Sequence, residues 1–285
     1  MKNFILVMAF TFVLFGCTRR ENGDFNAKTA ITVISREEGS GTRGAFIELF
    51  DIEQKDAAGR KDLTTKEAVV ARQTDVVMTN VSGNKYAIGY ISLGSLNDSI
   101  KSVMINNAVP NTENVLNGSY SVVRPFYLAA ASNLSSAAED FINFILCEEG
   151  QQIVAKNYIR INENAAPYEK KIISGKIVVA GSSSVTPVME KLREEYIKIQ
   201  PDITVEIQQS DTSTGLNAVL NGSCDIAMAS RELKENEMER LTPVKIALDG
   251  IAVIINKNNP LENLDKEDVK KIWIGNVSAW NEVLK

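Results

Sequence analysis

Short runs of apolar residues alternate along this chain with stretches in which apolar residues recur every three or four positions. The first pattern predicts buried strands and the second predicts amphipathic helices, so the alternation predicts an α/β fold. Ile31–Ile34 reads as a strand, and Ala45, Phe46, Ile47, Leu49 and Phe50 as the helix after it. The same succession returns at Lys176–Ala180 before Val188, Met189, Leu192 and Tyr196, and at Thr204–Ile207 before Leu216, Val219 and Leu220. It returns once more at Asp225–Ala229, with a helix expected over Glu232–Leu241. Between these units the pattern predicts a helix over Leu63–Ala71, a strand over Ala87–Leu93 and a small β unit within Ser119–Ala130. A long helix is expected over Ser136–Ala155, with Phe141, Phe144, Ile145, Ile153 and Val154 inward and Gly150 interrupting it. Residues 161–175, polar and holding Pro167, read as a linker.

The junctions between strand and helix carry the chemistry. Ser35-Arg36 leads into Gly39-Ser40-Gly41-Thr42, Gly181 into Ser182-Ser183-Ser184, Ser210-Asp211 into Thr212-Ser213-Thr214, and Ala229 into Ser230-Arg231. Backbone N–H groups at a helix start have no intrahelical partner and carry the positive end of the helix dipole. Hydroxyls and arginines beside them suit a small oxyanion. Each turn alone is equally an ordinary helix cap. Their recurrence at strand ends, where open α/β sheets bind ligands, points to one oxyanion cleft.

Composition narrows the chemistry further. The chain of 285 residues is 44% hydrophobic and 24% charged, ordinary for a folded protein large enough for two lobes. A net charge of −5, with no run of Lys or Arg, argues against a nucleic-acid surface. Histidine is absent, which removes Ser-His triads and histidine metal sites. No Gly-x-Ser-x-Gly or Walker lysine is present, so neither catalytic residues, a metal nor a cofactor is expected.

The N-terminal Phe4–Phe15 run is apolar but short for a membrane span, and Leu14-Phe15-Gly16-Cys17 resembles a bacterial lipobox. Residues 1–17 are therefore expected to be a lipoprotein signal peptide with Cys17 as the lipidation site, and residues 18–29 a tether. Cys147 and Cys224 sit in apolar contexts and read as buried free thiols.

SREEGSGTRGAF (35–46), AIGYISLGSL (87–96), VVRPFYL (122–128), GSSSVTPVMEKLREEY (181–196), DIAMASRELK (225–234), ALDGIAVIINKNNP (247–260) and IWIGNVSAWNEV (272–283) together resemble the phosphate-binding protein of bacterial phosphate ABC transporters. The order differs from that family, in which the segment like GSSSVTP comes first, so the chain reads as a circular permutation. The resemblance implies a two-lobed periplasmic-binding-protein type II fold, mixed sheets flanked by helices. One lobe would hold 30–92 with 254–285 and the other 93–165 with 176–253, with 166–175 as the permutation linker and hinge crossings near Tyr90–Ser92 and Val253–Asn256. By the same resemblance Arg36, Ser40, Gly41, Thr42, Ser183, Ser184, Val185, Thr212, Ser213 and Ser230 bind phosphate, and Glu38 orients Arg36. The family's ASD motif has an aspartate where this chain has Arg231, read either as a ligand contact or as a solvated first-turn arginine; Asp211 or Asp249 could supply the missing acceptor. The implied role is an extracytoplasmic, membrane-anchored, monomeric lipoprotein that delivers inorganic phosphate to ABC permease subunits and their ATPase. The rival readings are a lipid-anchored oxyanion sensor or scavenger, or a rearranged gene product without a transport role.

Overall fold

Every strand-to-helix unit anticipated from the apolar periods is present in the computed structural model, which describes residues 24–56 and 59–284. The signal peptide, Cys17 and residues 18–23 of the tether lie outside the described residues. The chain begins β1 (Thr32–Arg36), α1 (Gly41–Leu49), the hairpin β2 (Glu53–Asp56) and β3 (Gly59–Asp62), β4 (Val69–Ala71), α2 (Thr74–Gly83) and β5 (Ala87–Ser92). It continues with β6 (Lys101–Ser102), β7 (Met104–Ile105), α3 (Thr112–Leu116), β8 (Val123–Ala130), α4 (Ser136–Leu146) and α5 (Glu148–Val154). The remainder is β9 (Gly175–Ser182), α6 (Thr186–Ile199), β10 (Ile203–Ser210), α7 (Thr212–Leu220), β11 (Ile226–Ala229), α8 (Glu235–Met238), β12 (Thr242–Ile255), β13 (Asn263–Leu264) and α9 (Lys266–Trp273).

A nine-stranded mixed sheet runs β10-β9-β11-β8-β12-β5-β1-β4, with β6 beside β12. Its two ends are parallel. β9 pairs with β10 and β11, β1 with β4 and β5, each link crossing over through a helix. The middle is antiparallel: β12 pairs with β8 along Thr242–Gly250 and then with β5 along Ile251–Ile255. One strand thus passes through both ends of the molecule. Its Ile251–Ile255 run is fully buried, as a strand covered on both faces requires.

Apolar packing gathers on either side of that strand. The first core holds Phe46, Val77, Ile88, Tyr90, Ile254, Trp273 and Trp280. In the second, strand alternation divides the residues between two faces. Phe126, Leu128, Ile177, Val179, Ile226 and Met228 pack against α4 and α6. The small Ala129, Ala180, Ala227 and Ala229 face Leu216 and Val219 of α7. Leu93, Ile100, Val103, Ile105, Val115, Tyr120 and Val122 pack in the first core, where the sequence reading grouped residues 93–165 with the second. The passage between cores lies near Val122–Phe126 and Ala247–Ile251 rather than at Tyr90–Ser92 and Val253–Asn256. β8 and β12 are long strands crossing it without a break in pairing beyond a bulge between Lys245 and Ala247, so no turn residue marks it in the sequence.

Three local expectations are corrected. Residues 63–71 form no helix: the β-branched Val69 and Val70 pair as an edge strand along β1, where their side chains fit better than on a helix. The helix expected over Ser136–Ala155 is two helices, because Cys147 is extended (φ −74°, ψ 173°). The break lets α5 fold back on the end of α4: a Cβ at Gly150 would lie 2.1 Å from the Phe144 carbonyl oxygen, so only glycine fits. Of the helix expected over Glu232–Leu241, only Glu235–Met238 is helical. The 161–174 stretch has no regular structure but is pinned to the second core, where Tyr168 Oη donates to Asp140 and Gln200 Nε2 donates to the Lys171 carbonyl.

Cys147 and Cys224 are both buried and free, and burial pushes each thiol up to about 11. The thiolate, the reactive form, is therefore about a hundredfold scarcer at neutral pH than for an exposed cysteine. Alkylation of the chain from Thr18 on is expected to be slow in the native state and complete only in denaturant. Mass spectrometry after a timed iodoacetamide pulse checks this, and fast native labelling of either thiol contradicts it.

Candidate functional site

The parallel registers decide which turns meet. Ser210 lies beside Ser182, and Met228 beside Gly181, so the turns after β10, β9 and β11 leave the sheet side by side. From the first core β1 delivers Arg36 and the start of α1. Tyr90 fixes that delivery: its hydroxyl accepts from the Arg36 N–H and bonds Ser35 Oγ, both at 3.1 Å, while its ring stacks on Phe46 at 3.9 Å.

Arg36 is the charged centre of the place where the cores meet, and only 2% exposed. Nε and Nη2 donate to the two Glu37 carboxylate oxygens at 2.8 and 2.7 Å, a bidentate pair that holds the guanidinium plane. Nη2 also donates across the cleft to Ser183 Oγ at 3.1 Å. Nη1 has no protein acceptor among the described residues. A buried guanidinium with two N–H donors unengaged presents a directed site for an anion.

Hydroxyls from both sides surround it. Thr42 and Ser184 bond at 2.8 Å, and Thr74 Oγ1 lies 3.3 Å from both Ser183 Oγ and Ser184 Oγ. On the second core's side, Ser182 Oγ donates to Ser230 Oγ at 2.9 Å, and the Ser230 N–H donates to Thr212 Oγ1 at 3.2 Å. Ser213 bridges the cleft, its N–H and Oγ both donating to the Gly39 carbonyl at 3.2 Å. Ser40 caps α1, accepting from the Arg43 N–H. Gly41 begins that helix against the opposite wall, where a Cβ would lie 2.4 Å from Thr212 Oγ1 and 2.6 Å from Ser230 Oγ. A side chain there would hold the two sides apart.

The acids fall out differently from the sequence reading. Glu37, not Glu38, orients Arg36; Glu38 is exposed at the mouth. Asp211 caps α7, accepting from Thr214 N–H and Oγ1 at 2.9 and 2.6 Å, so both its oxygens are engaged. Asp249 pairs with Arg124 at 2.9 Å and accepts from Ser92 Oγ at 2.9 Å. Burial pushes its carboxyl up, opposed by the Arg124 guanidinium. Arg124 in turn donates to the Ser230 carbonyl at 3.2 Å, tying that turn to the strands that join the cores. Arg231 forms a bidentate pair with Glu237 at 2.8 Å and reaches Ser213 Oγ only at 3.4 Å, so its charge faces the mouth rather than the centre. Val185 directs its side chain into the second core, and its N–H donates to the Ser182 carbonyl.

Residues the sequence reading passed over are Glu37, Thr74, Ser182 and Arg124. Ser182 stood in a quoted motif, and the Gln73-Thr74 start of α2 was a further helix N-terminus that a search for hydroxyls at such positions could have found. Outside the cradle opens a groove of about 1200 Å³ lined by Glu38, Ser40, Arg43, Asp62, Ser213 and Arg231 among others. Arg43 and Asp62 pair across part of its wall at 2.6 Å. No cluster of His, Cys, Asp and Glu suited to a metal ion occurs among the described residues.

The PBP superfamily domain family matches residues 20–149 and 166–285. The phosphate-binding protein PstS 2 of Streptococcus agalactiae serotype V is 46% identical over 277 residues, covering 96% of this chain and 94% of the relative. That of Streptococcus pneumoniae serotype 4 is 42% identical over 259 residues, covering 90% and 89%. The crystal structure of a phosphate ABC transporter phosphate-binding protein from Streptococcus pneumoniae TIGR4 superposes with a TM-score of 0.71 at 42% identity, over 90% of this chain and all of that one. With the family match, 42–46% identity over nine-tenths or more of the chain and a fold that superposes over the same span, this chain belongs to the PBP superfamily and, within it, to the family of the phosphate-binding proteins of phosphate ABC transporters.

Proposed function

We propose that the chain binds inorganic phosphate between two lobes and delivers it to an ABC importer. The observation that carries this reading is the buried Arg36 guanidinium, oriented by Glu37 with Nη1 unengaged, inside a ring of hydroxyls drawn from both cores. Arg36, Ser40, Gly41, Thr42, Ser183, Ser184, Thr212, Ser213 and Ser230 form that cradle, and Thr74 and Ser182 join it. Charge-assisted hydrogen bonds contribute roughly 1.5–3 kcal/mol each, and micromolar affinity needs only about 8 kcal/mol in all. The relatives' names support phosphate as the anion. We read the chain as a binding protein rather than an enzyme, supported by relatives named as phosphate-binding proteins and by the lack of histidine, the commonest general base.

The lobes follow the two cores, so residues 93–122 move with β1 and α1. The segment order is a circular permutation. What supports it is the closeness of the ends: Ile31 N–H donates to the Ser278 carbonyl at 2.8 Å and Asn281 N–H to the Ala27 carbonyl at 2.7 Å. Joining such ends and opening a surface loop leaves the packing intact. The S. agalactiae relative shares this order over 94% of its length. The working protein is an extracytoplasmic monomer, anchored through a diacylated Cys17, whose partners are two permease subunits and their ATPase. Two acyl chains suffice for stable anchoring where one does not. No helix among the described residues is long and apolar enough to cross a membrane.

Isothermal titration of the chain from Thr18 on tests the reading. One phosphate per chain, bound at micromolar affinity or tighter, is expected; a folded chain that produces no binding heat would sink it.

A further inference from the structure

Residues 24–31, most of them expected from the sequence to be tether, form a strap docked on the first core. Ile31 N–H donates to the Ser278 carbonyl at 2.8 Å, Asn281 N–H to the Ala27 carbonyl at 2.7 Å and Trp280 N–H to the Thr29 carbonyl at 3.4 Å. The Phe25 ring lies 5.1 Å from that of Tyr86 and 5.9 Å from that of the buried Trp280. Asn26 N–H donates to Tyr86 Oη at 3.3 Å, and Lys85 Nζ donates to the Asp24 carbonyl at 3.4 Å. Phe25, Ala27, Ile31, Tyr86 and Trp280 all pack in or on the first core.

The strap sits at the end of the first core that faces away from the cleft. β1 and β5 run parallel, from Thr32 and Ala87 beside the strap toward Arg36 and Ser92 where the cores meet. At a strand's rise per residue, Thr32 lies about 13 Å behind Arg36. β12 runs opposite to β5 and brings Asn256–Asn259 to the same end, where Asn256 Nδ2 donates to the Val81 and Ser82 carbonyls and Asn259 Nδ2 to the Lys85 carbonyl. On the second core, α6 leaves the cleft at Thr186 and runs 14 residues to Ile199. A helix of that length spans about 21 Å. The exposed Asn258 and Lys198 therefore mark opposite poles of the molecule.

Six residues, 18–23, separate Cys17 from Asp24. Fully extended, that stretch lets Asp24 stand at most about 25 Å from Cys17, whereas a free strap would extend the reach to Thr32 to about 50 Å. We propose that the docked strap holds the outer end of the first lobe at a lipid surface and carries the second lobe, joined to it through β8 and β12, outward into solvent. The surface is the bilayer that takes the acyl chains, so the inference rests on reading Cys17 as the lipidated residue. The anchored protein then has a held lobe and a swinging one, with the mouth of the cleft clear of the lipid.

The test uses the full lipidated chain on phosphatidylcholine vesicles that carry an energy-transfer acceptor lipid. Asn258→Cys and Lys198→Cys, in separate proteins, take the donor dye, since the native thiols are buried and the Cys17 sulfur carries lipid. Transfer from position 258 is expected to be at least about threefold that from 198, because a lobe of this size is about 30 Å across. Inserting about ten Gly and Ser residues between Gly23 and Asp24 leaves the strap docked, adds up to about 35 Å of reach and should cut transfer from 258 by about half. Equal transfer from both positions, with the chain on the vesicles, means that the molecule lies flat; that overturns the proposal and leaves the anchor standing. A folded chain that stays off the vesicles overturns the Cys17 reading and the proposal with it. Trypsin checks the strap itself in the chain from Thr18 on. Cleavage after Lys28 should be slow, and about tenfold faster in Phe25→Ala as the strap opens locally. Rapid cleavage there in the unaltered chain would mean an undocked strap and overturn the proposal.

Discussion

Arg36→Ala is expected to weaken phosphate binding by about 10²–10⁴-fold while leaving the fold intact. The guanidinium can offer an anion two charge-assisted bonds from Nη1, each contributing roughly 1.5–3 kcal/mol. The substitution also leaves the Glu37 carboxylate without its bidentate partner, a like charge beside the incoming anion. Arg36→Lys should fall between wild type and Ala, because an ammonium keeps the charge but cannot hold Glu37 and reach across to Ser183 with one planar fork. Titration calorimetry on the three proteins reads the effect, and circular dichroism checks the fold. A loss under tenfold for the alanine variant would show that the anion sits elsewhere.

The second large effect concerns stability. Asp249→Asn is expected to destabilise the chain by about 3–5 kcal/mol, the usual consequence of leaving one member of a buried ion pair uncompensated. Arg124 and Asp249 are 2% and 1% exposed, and the guanidinium also bonds the Ser230 carbonyl, so its remaining charge has no route to water. Replacing both, as Arg124→Leu with Asp249→Leu, should be much milder than either single change would suggest, since no buried charge is then left alone. Urea unfolding of the single and double variants measures the difference. Equal losses for Asp249→Asn and the double variant would mean that the pair acts through packing rather than charge. The pair joins β8 and β12 where the cores meet, so Asp249→Asn should also loosen the Ser230 turn and weaken phosphate binding more than a distant destabilising change.

Much of this architecture was legible because it is local. Thr32–Arg36 followed by a small-residue turn and a helix needs only near neighbours to form, and so do the units beginning at Gly175, Ile203 and Ile226. The turn hydroxyls were found with them, since helix starts call for Ser, Thr and Asp for reasons a few residues wide. Thr74 was missed because its turn carries no glycine and its partners, Ser183 and Ser184, lie 109 and 110 positions away. Glu38 was preferred to Glu37 because adjacent side chains leave an extended loop in different directions, which sequence spacing does not resolve. The Leu63–Ala71 helix failed because an available strand edge outweighs a weak local preference.

By itself the sequence determined which elements form, which residue types stand at the strand ends, and that chemistry relying on histidine is closed to this chain. Those properties follow from local sterics, apolar period and composition. Only the tertiary structure decided which acid orients Arg36, that Asp211 and Asp249 are engaged within the protein, and that residues 93–122 belong with the first core. Each of these turns on angles and distances between segments far apart in the chain, brought into register by β12. A strand passing through both cores without a turn leaves no mark in the sequence where one core ends and the next begins.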